Sequence, residues 1–318
     1  MDMNGEISEL VSAIDEFYST DSEPRRIELN DYLCRFKNEK SSEVTIRKCF
    51  MLLNRSFSPS VQYFGALSLY DTIRERNEDI LAKPELFEAL KALLIKSLTE
   101  GASFQSQSLT NKLSSSLALL CLYSIPDIWQ SPVQDLTAIW AATPELLLRV
   151  LAELSAEFSN VWMAPSQRNV LKTELHRVSD DMIRILSTVM QSPDSAPSLL
   201  NAAVECVEQW LRLPGSNLRQ WTPLLSDVFG AVLDDSTALT NLLTILGSND
   251  ELVNEDQLVQ HILQYICTTL STKLLCELSR DALSEEVSAL SAATCSLAEG
   301  VVSVLIRLSI PQSESTYN

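Results

Sequence analysis

The chain has 318 residues, of which 46% are hydrophobic, so it can bury a large core and is too apolar to be a disordered chain. It contains only 7 glycines, whereas an all-β protein needs many tight turns, and clear strand-like alternation is absent. The net charge of −18 disfavours direct binding of nucleic acid, which needs a basic face. An acidic surface instead attracts basic protein partners or serves solubility alone.

Apolar residues recur at spacings of three and four along the whole chain, as in ISELVSAIDEFY and ELLLRVLAELSAEF. This period predicts helices that each carry one apolar stripe. Prolines that follow a capping residue mark several helix starts, at Ser58-Pro59, Thr143-Pro144 and Thr222-Pro223. In chain order, the predicted helices cover 6–18, 24–38, 43–54, 60–76, 85–99, 107–123, 132–141, 144–158, 167–191, 197–213, 218–233, 236–247, 255–278 and 282–309.

Consecutive helices, taken in pairs, form units that average about forty-five residues, the length of a HEAT repeat. We therefore predict an all-α chain that forms a right-handed α-α superhelix, a HEAT/armadillo-type solenoid of about seven helix pairs. A single bundle of similar helices is the alternative. The last helix, 282–309, is strongly apolar and lacks a polar capping repeat after it, so we expect the N-terminal part of a longer solenoid or a shortened product.

The seven cysteines form no CxxC pair, and most lie among leucines. Buried free thiols in a reducing compartment explain them best. The N-terminal MDMNGEISEL has no signal-peptide core, and no uninterrupted apolar run reaches the length of about 18 residues that a membrane span needs. We expect a protein of the cytosol or nucleus without membrane insertion.

Catalysis and metal binding are poorly supported by the sequence. His176 and His261 each lie alone on a predicted helix, and a zinc site needs converging ligands. His176 could pair with Asp180 or Asp181, although surface pairing on a helix explains HRVSDD better. No phosphate-binding glycine loop and no GxSxG motif is present. We predict no enzyme, no cofactor, no metal and no catalytic residue; an all-α enzyme built around His176 is the weakest alternative.

The tryptophans are a further candidate class. Trp140 and Trp210 lie on apolar stripes and are predicted to be core residues. Trp129 and Trp162 lie near helix ends, where an indole often fills the gap between repeats. Crevices between neighbouring helices can also receive an aromatic side chain of a partner.

The stretch SPSVQYFGALSLYDTIRERNED predicts one amphipathic helix that is rich in aromatic residues. Its buried stripe is predicted to contain Val61, Phe64, Leu67 and Ile73. Gly65 would let a neighbouring helix approach closely. Tyr63 and Tyr70 share one side of the helix, and Arg74 follows them. Tyrosine and arginine are common at binding surfaces, although tyrosines that only roof the core are an equal alternative.

This helix also carries a family resemblance, because VQYFGALSLYDTIR resembles a second-repeat helix of importin-β-type nuclear transport receptors in the importin-thirteen and transportin-three branch. LTNKLSSSLALLCLYSIPDIW, PELLLRVLAELSAEF and ECVEQWLRLPGSNLRQWTPLLSDVFGAVLDD resemble later repeats of that branch in the same order. The resemblance covers about Ser42 to Asp250. Asn111-Lys112 departs from it, since an arginine is expected there, and the remainder of such a receptor is missing.

The resemblance implies a HEAT-repeat receptor that binds the GTP form of the small GTPase Ran through its N-terminal repeats. It also implies protein cargo, phenylalanine-glycine nucleoporins that bind hydrophobic slots on the outer surface, and shuttling between cytoplasm and nucleus through the nuclear pore. The helices at 24–38, 60–76 and 107–123 would face Ran, with Gln62, Tyr63, Tyr70 and Arg74 as contact residues. A generic HEAT scaffold without GTPase dependence is the alternative.

The same resemblance implies a division of the single solenoid, 1–318, into three parts. The segment 22–100 would hold importin N-terminal-like repeats on the Ran-binding side. The segment 101–250 would hold exportin/importin-like HEAT repeats. The segment 251–318 would be a further helical pair at the possibly truncated end of the solenoid.

Overall fold

The computed structural model describes residues 3–37, 39, 41–101, 106–192, 195–249, 256–280 and 284–309, and these residues form helices and no strands. The predicted all-α, HEAT-type fold is confirmed. The helices are α1 (Met3–Ser19), α2 (Glu23–Lys37), α3 (Ser42–Leu52), α4 (Pro59–Glu75), α5 (Asn77–Leu81), α6 (Pro84–Gly101), α7 (Gln107–Ser124), α8 (Pro132–Ile139), α9 (Pro144–Ala156), α10 (Pro165–Arg177), α11 (Ser179–Met190), α12 (Pro197–Leu211), α13 (Leu218–Val232), α14 (Ser236–Gly247), α15 (Asp256–Tyr265), α16 (Ser271–Arg280) and α17 (Glu285–Ser309).

Three helical segments differ from the sequence-based prediction. One is the predicted helix 255–278, which consists of α15 and α16 joined by a π-helical segment, Ile266–Leu270. The short helix α5 was not predicted, because five residues with a single buried side chain, Ile80, show no period. The predicted helix 167–191 is two helices, α10 and α11, with a break at Val178. Leu175, Val178 and Met182 are all buried at spacings of three and four, so the apolar period continues across the break and does not reveal it.

Helix starts follow the expected capping chemistry at several positions. The Oγ of Ser58 accepts a hydrogen bond from the backbone N–H of Val61 at 3.3 Å and begins α4, with Pro59 in the first turn. The prediction for Thr222-Pro223 is wrong, because α13 begins at Leu218 and Pro223 lies inside it. The cap of α13 is Asn217, whose Oδ1 accepts from the N–H of Arg219 at 3.1 Å.

The chain forms two compact units, Met1–Glu174 and Leu175–Asn318. In the first unit, α4 packs between α3 and α7, and α7 packs in turn against α6 and α9. In the second unit, α12 packs against α11, α13 and α14, and α14 packs against α17. Each helix thus buries its stripe on its neighbours, as in a HEAT arrangement. The boundaries 22–100, 101–250 and 251–318 stay predictions.

Gly65 brings α4 close to α3, as expected from the sequence. A Cβ atom at this position would lie 2.8 Å from the Cβ of Leu52 and 3.0 Å from the carbonyl oxygen of Cys49. Val61, Phe64 and Ile73 are buried in the stripe of α4, whereas Leu67 is only half-buried. Any side chain larger than hydrogen at position 65 would therefore push the two helices apart.

Four of the five tryptophans are buried, and the fifth is not. Trp140 and Trp210 lie in the core as predicted, and the Nε1 of the buried Trp129 donates to Asp135 at 2.7 Å. The expectation that Trp162 fills a gap is wrong, because its side chain is 77% exposed. Its neighbour Val161 is buried instead and turns the indole outward.

Three of the seven cysteine thiols are buried: Cys49, Cys121 and Cys206. The expectation of buried thiols is wrong for the other four, Cys34, Cys267, Cys276 and Cys295, which are exposed. Cys34, for example, directly follows the buried Leu33 and therefore points away from the core. Burial raises the pKa of the Cys49 thiol to about 12, and it raises the pKa values of Cys121 and Cys206 further.

Among the described residues of the second unit, the carboxyl group of Glu208 on α12 is buried, at 7% exposure. Burial raises its pKa to about 7, and the nearby Arg212 lowers the pKa only in part. The folded protein therefore keeps the proton on Glu208 between its usual pKa of 4.5 and about pH 7, while the unfolded chain has already released it. Stability of this unit falls as pH rises through that interval.

Replacing Gly65 with alanine should lower the free energy of unfolding by about 2 kcal/mol, because the new methyl group collides with α3. Urea denaturation followed by circular dichroism measures the change. The matched control is Gly230→Ala on α13, where an added Cβ meets nothing within 4 Å. The control should be neutral or raise stability by up to about 1 kcal/mol. Equal effects of the two substitutions would contradict the close approach of α3 and α4.

Glu208→Gln should raise stability at pH 8 by about 2 kcal/mol, since partial solvent access reduces the full effect of the pKa shift. At pH 4 the substitution should change little, because both folded and unfolded chains hold the proton there. Thermal unfolding at a series of pH values tests this. Glu286→Gln on the exposed surface of α17 is the control and should show no such pH dependence. A gain that is the same at pH 4 and pH 8 would rule out titration of Glu208 as the cause.

Candidate partner-binding face

The residues predicted to contact Ran lie on α4 in three different environments. Gln62 is half-buried, and its Nε2 donates to the carbonyl oxygen of Phe57 at 2.8 Å. Tyr63 is half-buried, and the side chain of Arg74 is 34% exposed. Tyr70 is buried. The structure therefore places Tyr63 and Arg74 within reach of a partner, with Tyr70 beneath Arg74; the contact with Ran stays a prediction.

The hydroxyl of Tyr70 donates a hydrogen bond of 2.7 Å to Oε2 of Glu157, which follows α9. The same oxygen accepts from Nδ2 of Asn160 at 2.9 Å. Burial and the neighbouring Glu157 carboxylate raise the pKa of Tyr70 well above its usual value. The phenol therefore stays protonated and ties the segment after α9 to α4.

That segment carries the exposed Trp162. The backbone N–H of Trp162 donates to the hydroxyl oxygen of Tyr123 on α7 at 3.2 Å. The Tyr123 hydroxyl in turn donates to the carbonyl oxygen of Arg74 at 3.4 Å. Together with the buried Val161, these bonds hold the backbone of Trp162 at the surface, where the centroid of the indole lies 5.9 Å from the Arg74 guanidinium carbon.

Two cations lie over the buried ring of Tyr70. The guanidinium carbon of Arg74 is 5.8 Å from the ring centroid, and Nζ of Lys112 on α7 is 4.2 Å from it. The carboxylates nearest to Arg74 belong to Asp71 and Glu75, at 3.9 and 3.7 Å, which is beyond hydrogen-bonding distance. We name Arg74, Lys112 and Trp162, with Tyr70 beneath them, the α4–α7 face.

The same side of α4 also meets α2 through charged groups. Nζ of Lys37 forms an ion pair of 2.8 Å with Asp71, and Nη2 of Arg76 donates to the carbonyl oxygen of Lys37 at 3.1 Å. A cavity of about 140 Å³ lies there, and the buried hydroxyl of Ser68 lines it. These contacts fix the position of Asp71, whose carboxylate forms its short ion pair with Lys37.

A second candidate feature is a groove of about 670 Å³ between α3 and α6. Its apolar lining consists of Ile46, Phe50, Met51, Leu86, Ala89, Leu90 and Leu93. Charged side chains also line it, among them Arg47 and Glu85. An apolar concave surface of this size can receive aromatic or aliphatic side chains of a partner. The sequence did not locate the groove, because its two walls are about forty positions apart and each reads as an ordinary helix.

Chemistry-bearing residues do not converge in the part of the chain that the structure describes. Nε2 of His176 lies 3.1 Å from the carbonyl oxygen of Pro214. The predicted pairing of His176 with Asp180 or Asp181 on one helix is wrong, because the helix breaks at Val178 between them. Within the described ranges no group of histidine, cysteine, aspartate or glutamate is arranged to hold a metal ion. None of the described helices is long and apolar enough to cross a membrane.

Reasoning from sequence named Arg74 and Tyr70 as contact residues but not Lys112, Glu157 or Trp162, which the structure brings close to them. Lys112 was noted only as a departure from the expected arginine, and Trp162 was assigned to a gap. The pair Val161-Trp162 before a helix that starts with proline could have indicated an exposed indole, because only one of two adjacent residues can face the core.

Comparison with known families concerns the middle of the chain. Residues 106–240 match the family model of exportin 1-like proteins. No curated protein matches the chain. The match covers less than half of the chain and agrees with the resemblance to importin-β-type receptors. The matched range contains Lys112, Glu157 and Trp162, whereas α4 lies outside it.

Proposed function

We propose that this protein is a nuclear transport receptor, a karyopherin of the importin-thirteen and transportin-three branch. It carries protein cargo through the nuclear pore under the control of Ran with bound GTP, mainly into the nucleus. The match of residues 106–240 to exportin 1-like proteins carries the proposal, and the HEAT-type packing of both units supports it. The protein shuttles between cytoplasm and nucleus, and no residue of it performs chemistry.

Ran binds the first unit along α4 in this proposal. Tyr63 and Arg74 make the contacts. The ring of Tyr70 lies beneath the Arg74 guanidinium, and the hydrogen bond from Tyr70 to Glu157 holds that ring in place. Gln62 stabilises the start of α4 through Phe57 and borders the contact. The net charge of −18 favours association with basic faces of the GTPase and of cargo proteins, because opposite charges accelerate encounter.

The groove between α3 and α6 receives phenylalanine side chains of nucleoporin repeats. Its walls supply apolar contact, and Leu93 is 41% exposed and available to a partner. A single phenylalanine buries little area, so each contact is weak, and many weak contacts permit rapid passage.

Titration with Ran tests the proposed control by nucleotide. Ran loaded with GTP should bind more tightly than Ran loaded with GDP, and higher salt should weaken the complex because charges contribute to it. Tyr63→Ala should weaken binding about tenfold, since a tyrosine near the centre of an interface often dominates its energy. Isothermal titration calorimetry at two salt concentrations measures both effects.

The control variant for that titration is Lys96→Ala on α6, whose side chain is 66% exposed and distant in sequence from α4. It should bind Ran as the unchanged protein does. Equal affinity for the GTP and GDP forms would contradict the proposal and favour a HEAT scaffold that does not depend on a GTPase.

Leu93→Asp should weaken binding of a synthetic peptide with several phenylalanine-glycine repeats about tenfold, because it places a charge in the apolar groove. Fluorescence anisotropy of the labelled peptide measures the affinity. Ile139→Asp on α8 is the matched control, since Ile139 is similarly exposed but does not line the groove. A loss of the same size in both variants would show that the groove is not the binding site.

A further inference from the structure

We propose that the α4–α7 face is a docking site for a short acidic segment of a partner protein, in which carboxylates alternate with apolar residues. Arg74 and Lys112 bind the carboxylates, and Trp162 binds an apolar side chain beside them. The inference goes beyond the proposed function and requires neither Ran nor a nucleotide.

Neither cation of the α4–α7 face donates a hydrogen bond to a described acceptor, and the carboxylates of Asp71 and Glu75 stay 3.9 and 3.7 Å from Arg74. Among the described residues, the guanidinium of Arg74 makes no hydrogen bond, and its Nε is buried without a partner. The ammonium of Lys112 makes no hydrogen bond or ion pair in the described part of the chain. Other basic side chains of this unit are paired, for example Arg25 with Glu16 and Glu28, Lys48 with Glu6 and Glu39, and Lys37 with Asp71. In an acidic chain, two cations over one ring that make no hydrogen bond leave donors that fit external carboxylates.

The indole of Trp162 is exposed beside Arg74. The backbone of Trp162 is held by the hydrogen bond that its N–H donates to Tyr123 on α7 and by the buried Val161, so a partner would order little backbone when it binds. Tryptophan and arginine are both enriched among the residues that dominate the energy of an interface. The indole therefore supplies apolar contact next to the two cations.

The charges around the site select the sign of the partner. Asp71 faces Arg74 but is committed to Lys37 at 2.8 Å. Glu75 lies 3.7 Å from Arg74 and is 58% exposed, so it competes with an incoming carboxylate without neutralising Lys112. A basic segment would meet Arg74 and Lys112 as like charges, which is unfavourable. An acidic peptide is therefore the partner that fits.

A nucleic acid would offer both phosphates and bases that stack on an indole. The continuous phosphate backbone would also meet Asp71, Glu75 and a chain with a net charge of −18. A short peptide presents only a few carboxylates and avoids most of this repulsion. The observations therefore favour the peptide.

Trp162 is also the reporter for the test, because the other four tryptophans are buried at 1–5% exposure. Acrylamide should therefore quench mainly the fluorescence of Trp162. A synthetic peptide of alternating glutamate and leucine, which contains no aromatic residue, should protect it from quenching. Protection should require more peptide at higher salt.

Variants test the roles of the charged residues. The double variant Arg74→Gln/Lys112→Gln should bind the peptide at least about tenfold more weakly, because both charge-assisted hydrogen bonds are lost. Glu75→Gln should bind it a few-fold more tightly, about threefold, because a competing carboxylate is removed. Lys112→Gln alone changes a half-buried surface residue and keeps the test valid if the double variant does not fold.

Matched controls use a peptide of glutamine and leucine, a peptide of lysine and leucine, and the variant Lys96→Gln on α6. Circular dichroism confirms the fold of each variant. The proposal is overturned if the glutamine peptide protects Trp162 as well as the glutamate peptide, or if the charge variants bind unchanged. It is also overturned if a single-stranded oligonucleotide of equal charge binds more tightly than the peptide.

Discussion

The close approach of α4 to α3 is the constraint on which the first unit depends. At Gly65 the backbone of α4 lies so close to α3 that an added Cβ atom would come within 2.8 Å of the Cβ of Leu52 and 3.0 Å of the carbonyl oxygen of Cys49. Because the two helices approach so closely, α4 is enclosed between α3 and α7. Tyr70 is therefore buried, and its hydroxyl donates to Glu157. The same position of α4 places the carbonyl oxygen of Arg74 within hydrogen-bonding distance of the Tyr123 hydroxyl. That hydroxyl in turn accepts a hydrogen bond from the backbone N–H of Trp162. The geometry of the α4–α7 face thus depends on Gly65 in the core.

The first unit separates two kinds of surface chemistry on different helices. The groove between α3 and α6 is apolar, whereas the α4–α7 face combines cations with an exposed indole. Binding to an apolar groove is driven by the burial of apolar surface, so salt weakens it little. Binding to cations depends on charge, so salt screens the attraction. Partners of different composition can therefore occupy the same unit without competing for the same side chains.

Features that repeat along one helix could be predicted from the sequence, and features that join distant segments could not. The stripe of α4 and the close approach at Gly65 follow from local spacing, and both were confirmed apart from the half-buried Leu67. The break at Val178 was hidden because apolar spacing continues across it. The bond between Tyr70 and Glu157 joins residues 87 positions apart, so nothing local indicates it. Trp162 was misplaced because adjacent residues compete for one interior position, and size alone does not decide which of them enters.

The unequal exposure of the thiols has a consequence for oxidative chemistry. Cys49 and Cys121 in the first unit and Cys206 in the second are buried and stay protonated, so they are poor nucleophiles while the fold is intact. Alkylating reagents and peroxide should therefore reach Cys34, Cys267, Cys276 and Cys295 first. Modification of a buried thiol requires its own unit to open. The pattern of labelled cysteines thus records which of the two units has unfolded, without any engineered residue.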